Sequence, residues 1–311
     1  MSVNSVKASF IIPTKNNAKT IEQCLNSLLP YREYIKDIVV VDGQSSDGTA
    51  EIIRKFPVKI LADPGKGQNL AHEIGWRSAE GDLIIFLDAD AYLGEGFFPA
   101  IFEFFKKDEK LGLVGCPGRF VGTGKLYKTV EEWNVYDNRV RTQPKGPIEK
   151  AHRAIVWRNN EGNSLPLGPC QAIPRKVIEA VDGYRGLSLK MPTDAITAYR
   201  IASGGWKWYT WTKAPVNHYA RSTVRELNDE YYRFGRETAY YWGNRKINPS
   251  NPLLRRIAWV CSVLASPLLG LMMAIRFRNI QHLTLFPSTR FVALGGFLKA
   301  LRTKRVDQII P

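Results

Sequence analysis

Cysteine is scarce in this chain. Its 311 residues hold four, Cys24, Cys116, Cys170 and Cys261, and no CxxC pair. That spacing weighs against a zinc ribbon, a redox motif and a disulfide framework. There is no GxxxxGK(S/T), so a P-loop is excluded, and no GxGxxG after the first apolar run, which weighs against a dinucleotide oxidoreductase. Internal repeats and low-complexity segments are absent too. The opening residues, MSVNSVKASFIIPTKNN, lack the long apolar core of a signal peptide, which predicts a cytosolic start.

What is present is globular: 44% hydrophobic and 23% charged residues. The net charge of +15 suggests an anionic partner, but the charge is unevenly spread. Residues 1–115 carry a net −3, residues 116–219 a net +8 and residues 220–311 a net +10. The first third is therefore no basic nucleic-acid surface, and no nucleic-acid partner is expected.

Three short apolar runs mark that third: Ala8–Pro13, Ile38–Val41 and Leu83–Leu87. Continuous Ile/Val-rich runs of this length predict strands buried on both faces, as in a parallel sheet. Between them, Lys19–Tyr34 and Gln68–Ala79 have helical spacing, and Ser46 or Asp47 is placed to cap a helix carrying Ile52, Ile53 and Phe56. Alternating strands and helices predict a doubly wound α/β layer, with ligands at the carboxyl ends of the strands. Those ends hold Pro13–Asn17, Asp42–Ser46 and Asp88–Asp90. Further on, helices are expected over Tyr127–Arg141, Pro174–Val181 and Asp194–Ser203, a strand over Trp206–Trp211, and a long polar loop over Lys145–Leu167.

Six positions could carry chemistry. Asp88 and Asp90 flank one small residue at a strand end, where a turn can aim both carboxylates at one hard cation, Mg²⁺ or Mn²⁺. Two solvated turn carboxylates are the plain alternative. Asp42 follows IVVV and precedes small residues that let a ligand approach the backbone. Lys66, between two glycines ahead of a helix, suits a phosphate or is simply an exposed loop lysine. Asp194 opens a helix, either as a cap or as a base for a hydroxyl proton. His218 follows the aromatic strand and is a candidate metal or phosphate ligand.

The C-terminal part changes character. Ile257–Ile275 is nineteen residues without a charge, flanked by Arg255, Arg256, Arg276 and Arg278. Its length approaches the hydrocarbon thickness of a bilayer, while Pro267 and Gly270 interrupt it. Basic residues on both sides favour a re-entrant or interfacial helix pair on the cytosolic leaflet over a full span. A buried helical hairpin is the competing reading.

Taken in order, FIIPTKNN (10–17), IVVVDGQSSDGT (38–49), GKGQNLAHEIGWRSAEGDLIIFLDADA (65–91), GPCQAIPRKVIEAVDGYRG (168–186) and PTDAITAYRIASGGWKW (192–208) resemble the family-2 glycosyltransferases. These are inverting enzymes of the GT-A fold, a Rossmann-like, mostly parallel mixed sheet flanked by helices. The resemblance covers roughly residues 8–240. It implies a GT-A domain over 1–245, with a nucleotide-sugar half to about 115 and an acceptor half beyond it. Residues 246–311 are expected as a hydrophobic, membrane-associated helical extension.

The resemblance assigns roles. Pro13 and Thr14 would line the nucleotide pocket, and Asp42 would meet the base. Lys66 and Asn69 would stand near the base or diphosphate. Asp88 would contact ribose or metal, Asp90 and His218 would ligate a divalent metal, and Asp194 would be the general base. Thr193 replaces the usual Glu of the family's "ED" pair. No QxxRW follows; the stretch reads YYRFGRETAYYW, which implies addition of one sugar or a few. The expected partners are a nucleotide-diphosphate sugar donor, a glycan or lipid-linked acceptor and an anionic membrane surface, with the enzyme on the cytoplasmic face of the membrane. A polyprenyl-phosphate glycosyltransferase, a sugar nucleotidyltransferase and a non-catalytic nucleotide- or membrane-binding protein are the alternatives.

Overall fold

The computed structural model describes residues 6–143, 145–147, 150, 166, 168–186, 193–243 and 252–302. The chain divides into two units. The first comprises Met1–Arg119, Asn159–Tyr219 and Asp307–Pro311, and the second Phe120–Arg158 and Ala220–Val306.

The first unit is built on a mixed sheet. The strands β1 (Ala8–Thr14), β2 (Ile35–Asp42), β3 (Lys59–Ala62), β4 (Leu83–Leu87), β6 (Leu111–Cys116), β8 (Cys170–Pro174) and β9 (Lys207–Thr210) lie in the order β3-β2-β1-β4-β8-β6-β9. β1 runs parallel to β2 and β4, β2 to β3, and β6 to β9, while β8 is antiparallel to both β4 and β6. The three apolar runs are thus neighbouring central strands. Phe10, Ile11, Ile12, Val39, Val40, Val41, Ile84 and Ile85 are fully enclosed, as strands covered on both faces require. A separate antiparallel pair joins β5 (Ala91–Leu93) to β10 (Val216–Tyr219). The short β7 (Arg119–Val121) lies where the chain passes from the first unit to the second.

Helices α1 (Ile21–Asn26), α2 (Thr49–Ile53), α3 (Gln68–Ser78), α4 (Phe97–Lys107), α6 (Arg175–Ala180) and α7 (Thr193–Ser203) belong to this unit. The helix expected over 19–34 stops at Asn26; Pro30 follows, and Leu29–Tyr34 continues as a 3₁₀ turn. Proline lacks the N–H that an α-helix interior needs. α2 begins with Gly48 in the left-handed region, where no side-chain cap is made, although Asp47 Oδ1 accepts from the Thr49 amide at 3.1 Å. α3 lies close on the sheet because Gly75 faces it: a Cβ there would fall 2.2 Å from Ile11 Cγ2.

The second unit is helical among its described residues: α5 (Gly124–Thr142), α8 (Val224–Gly243), α9 (Pro252–Leu264), α10 (Ser266–Phe277) and α11 (Leu285–Arg302). Val130, Trp133 and Val140 of α5 point inward with Leu227, Met273 and Phe286. α8 and α11 touch backbone to backbone. A Cβ on Gly235 would fall 1.8 Å from the Ala293 carbonyl, and one on Gly296 2.1 Å from that of Tyr232. His282 is fully buried: Trp133 Nε1 donates to its Nδ1 at 2.7 Å, leaving Nε2 to donate to Glu132 Oε2 at 2.6 Å.

The nineteen-residue apolar run is divided at Ala265 into two helices, with Pro267 in the first turn of α10. Gly270 then presses against the His282 carbonyl, 2.6 Å from where its Cβ would lie. Among the described residues no helix is long and apolar enough to cross a membrane. The expected loop over 145–167 lies almost wholly outside the described residues.

Candidate active site

The carboxyl ends of β1, β2, β3 and β4 carry the polar residues of the first unit. Two groups are resolved there.

The first group surrounds Asp42. In register, Thr14 pairs with Asp42 and Asp42 with Ala62, so these strands end at one level. Thr14 is buried and its Oγ1 donates to Asn17 at 3.2 Å, while Pro13 beside it is half-buried. Ser45 holds the Asp42 carboxylate by its hydroxyl at 2.5 Å and its amide at 3.2 Å. The Asp63 amide donates to the Asp42 carbonyl at 2.8 Å, which sets a second carboxylate beside the first. Asp63 is buried, and burial raises its carboxyl above the ordinary range. The Lys66 amide points back to Asp63 Oδ1 at 3.4 Å, and its side chain is exposed. Asn69, on the first turn of α3, is buried.

The second group surrounds Asp88 and Asp90. The buried strand LIIFL delivers Asp88, whose amide donates to the Pro169 carbonyl at 2.8 Å. Ala89 turns inward to the core, so the turn between the two carboxylates admits only a small side chain. Asp90 is held by the Tyr219 amide, which donates to its carbonyl at 2.9 Å. The β5–β10 register sets His218 against Ala91, and this brings His218 Nε2 to 3.1 Å from Asp90 Oδ1. Ligand atoms of Asp88, Asp90 and His218 all lie within 4.8 Å of one another. Gln68, the first residue of α3, donates from Nε2 to Asp88 Oδ1 at 3.3 Å. Beneath them lies Cys24, with Sγ 3.7 Å from the Asp88 carbonyl. Burial first, and the two carboxylates second, push that thiol far up, so it stays protonated.

The donor set fits a divalent cation. Two carboxylate oxygens suit Mg²⁺ or Mn²⁺, and an added imidazole is better matched to Mn²⁺. The three side chains are half-buried, so a cation there keeps access to a ligand.

Of the residues expected from sequence, Asp88, Asp90 and His218 meet, and Pro13, Thr14 and Asp42 stand together at neighbouring strand ends. Lys66 and Asn69 flank the start of α3. Asp194 is the second residue of α7, and its side chain lies outside the described residues. Sequence reading missed Asp63 and Gln68. Asp63 follows the edge strand β3, whose KILA is too short and too exposed to announce itself. The signal for Gln68 was available: it is the first helical residue after Gly67, beside a lysine already singled out.

Comparison with known proteins agrees with this geometry. Residues 9–161 match the family model described as Glycosyl transferase family 2. The poly(ribitol-phosphate) beta-N-acetylglucosaminyltransferase TarS of Staphylococcus aureus is 29% identical over 153 residues, 43% of this chain and 26% of that protein. The poly-beta-1,6-N-acetyl-D-glucosamine synthase of the same species is 31% identical over 111 residues, 34% of this chain and 27% of that protein. The chain thus spans about a quarter of the length of these curated relatives. Among solved structures, a mannosyltransferase from Pyrobaculum calidifontis, in complex with GDP-Man and Mn²⁺, superposes with a TM-score of 0.62 at 18% identity. That match covers 96% of this chain and 88% of the other. The fold is therefore the GT-A fold, and residues 9–161 are similar to the Glycosyl transferase family 2 model.

Proposed function

We propose, from the premise that residues 9–161 match the Glycosyl transferase family 2 model, that the chain transfers one sugar from a nucleotide-diphosphate sugar to a hydroxyl of a glycan or lipid-linked acceptor, with inversion. The observation that carries the reading is the meeting of Asp88, Asp90 and His218 at the end of β4, in the sheet whose neighbouring strand ends present Asp42 and Asp63.

Asp42 and Asp63 are placed to accept hydrogen bonds from the N–H groups of a base or the hydroxyls of a ribose. Ser45 holds Asp42 in that orientation. Lys66, exposed between Gly65 and Gly67, supplies a cation for the diphosphate, and the start of α3 adds its positive dipole end. Asp88, Asp90 and His218 would hold the divalent cation. When bound, it supplies positive charge against the departing nucleoside diphosphate. Asp194, in the first turn of α7, takes the proton of the acceptor hydroxyl as that oxygen attacks C1. In-line displacement inverts the anomeric centre, and no carboxylic acid is needed to protonate the leaving group, unlike in glycoside hydrolysis. The missing QxxRW favours a single addition over processive synthesis.

The relatives support sugar transfer to a glycan by what they are named for: transfer of N-acetylglucosamine to poly(ribitol-phosphate), and synthesis of poly-beta-1,6-N-acetyl-D-glucosamine. The test is donor binding and turnover across UDP-, GDP- and dTDP-sugars with Mn²⁺ or Mg²⁺. At least one donor is expected to bind in a metal-dependent manner and to be turned over, with turnover lost in Asp194→Asn. Inactivity with every donor, together with no metal-dependent nucleotide binding, overturns the reading.

A further inference from the structure

Between Ile257 and Ile275, α9 and α10 carry no charged residue. Their inner faces bury Trp259, Val263 and Met273 within the second unit. On their outer faces, no described exposed residue between Ile257 and Ile275 is charged or hydrogen-bonding beyond the thiol of Cys261. Ile257, Cys261 and Leu264 follow one another at helical spacing along α9, and Leu268, Leu271 and Ile275 do so along α10. Leu264, Leu268 and Ile275 are 61%, 65% and 72% exposed. A surface helix ordinarily turns charge to water on that side, and a continuous apolar face of this kind marks a contact surface.

The charge at its rim says what covers it. Residues 252–302 contain Arg255, Arg256, Arg276, Arg278, Arg290, Lys299 and Arg302, and no Asp or Glu. Two of these, Arg276 and Arg278, are exposed immediately after the apolar face, and Ile280 beyond them is 77% exposed. A second copy docked symmetrically on this face would set arginines against arginines. A bilayer with anionic headgroups would instead take the Leu and Ile side chains into its interface and pair the arginines with phosphates. α9 and α10, of 13 and 12 residues, are too short to span and of a length to lie flat.

We propose that the outer face of α9 and α10 is a membrane-docking surface that inserts into the interfacial layer of an anionic lipid leaflet. The proposal stands on the second unit alone and does not depend on the reading of the active site.

Cys261 gives a probe on the unaltered protein, since it is exposed on this face while Cys24, Cys116 and Cys170 are buried. The full chain carrying a polarity-sensitive dye on Cys261 is mixed with vesicles of phosphatidylcholine alone, or of phosphatidylcholine with phosphatidylglycerol. Co-sedimentation and a blue shift are expected with the mixed vesicles, about tenfold or more weaker with the neutral ones, and weakened by added salt. The exposed-site variant Leu268→Glu/Ile275→Glu should lose the binding while keeping the parent's circular dichroism melt. Absence of co-sedimentation, or equal binding by this variant, overturns the proposal. So does a blue shift that appears without lipid as protein concentration rises, with dimers in sedimentation equilibrium, because the face then belongs to a second copy.

Discussion

Replacing His72 by Phe is expected to make the first unit more resistant to mild acid. His72 lies on α3, four residues after Gln68, and is 3% exposed. Its ring sits 4.5 Å from that of Phe86 and 5.3 Å from that of Tyr184, and neither ring nitrogen has a hydrogen-bond partner. Burial alone drives its pKa from 6.5 down to about 3. In the unfolded chain the imidazole titrates near its ordinary value. Between the two values the unfolded state therefore binds the proton and the folded state does not, so stability falls as pH falls. At about 1.4 kcal/mol per pH unit below the unfolded pKa, the loss between pH 7 and pH 5 is about 2 kcal/mol. That corresponds to roughly 4–8 °C in melting temperature for a unit of this size. The variant removes this component while every other titrating group stays, so the difference between the two pH profiles isolates His72. The assay is thermal or urea unfolding of parent and variant at half-unit steps from pH 7.5 to 4.5. His72→Leu serves as a second probe in case Phe overfills the site. Parallel profiles for the parent and both variants would refute the reasoning, since they would mean that the imidazole reaches water or a partner when charged.

Other outcomes follow from the same geometry. Asp90→Ala and His218→Ala should each abolish Mn²⁺-dependent nucleotide binding in calorimetry and lower transfer by about 100-fold or more, roughly 3 kcal/mol of transition-state stabilisation. Glu73→Ala should destabilise by about 3–5 kcal/mol in denaturant unfolding. The 7%-exposed carboxylate accepts from Trp76 Nε1 at 2.5 Å, from the Tyr184 amide at 2.9 Å and from Arg77; the two buried donors, Trp76 Nε1 and the Tyr184 amide, would be stranded, while Arg77 keeps Asp182. Gly75→Ala, despite the better helix propensity of alanine, should cost about 1–3 kcal/mol by the same measurement, because the new methyl meets Ile11.

The central strands were legible because burial on both faces leaves an unbroken Ile/Val run, and β1, β2 and β4 fall on the three runs seen in the sequence. The edge strand β3 was not, since Lys59 and Ile60 are exposed and no run forms. The acidic pair at 88 and 90 was visible as a local pattern. Its meeting with His218 was not a local fact, because it depends on the pairing of β5 with β10 across more than a hundred residues. Hydropathy likewise registered the apolar composition of 257–275 but not its break at Ala265, which depends on Pro267 and on the close approach at Gly270. Asp63 went unseen for the same reason as β3: its position beside Asp42 is created by a backbone hydrogen bond between strand ends.

The antiparallel β8 has a consequence for how the chain is made and cut. Among the described residues it alone touches both β4 and β6 in the sheet, and it is translated after both. A ribosome adding about 5–20 residues per second takes several seconds to travel from Cys116 to Pro174, and for that time two apolar strand edges stand open. A recombinant fragment ending at residue 161, where the family match ends, would keep those edges open permanently and invite aggregation. The segment that similarity delimits therefore lacks the strand that joins β4 to β6. A soluble catalytic fragment has to extend at least through β10, which also brings His218.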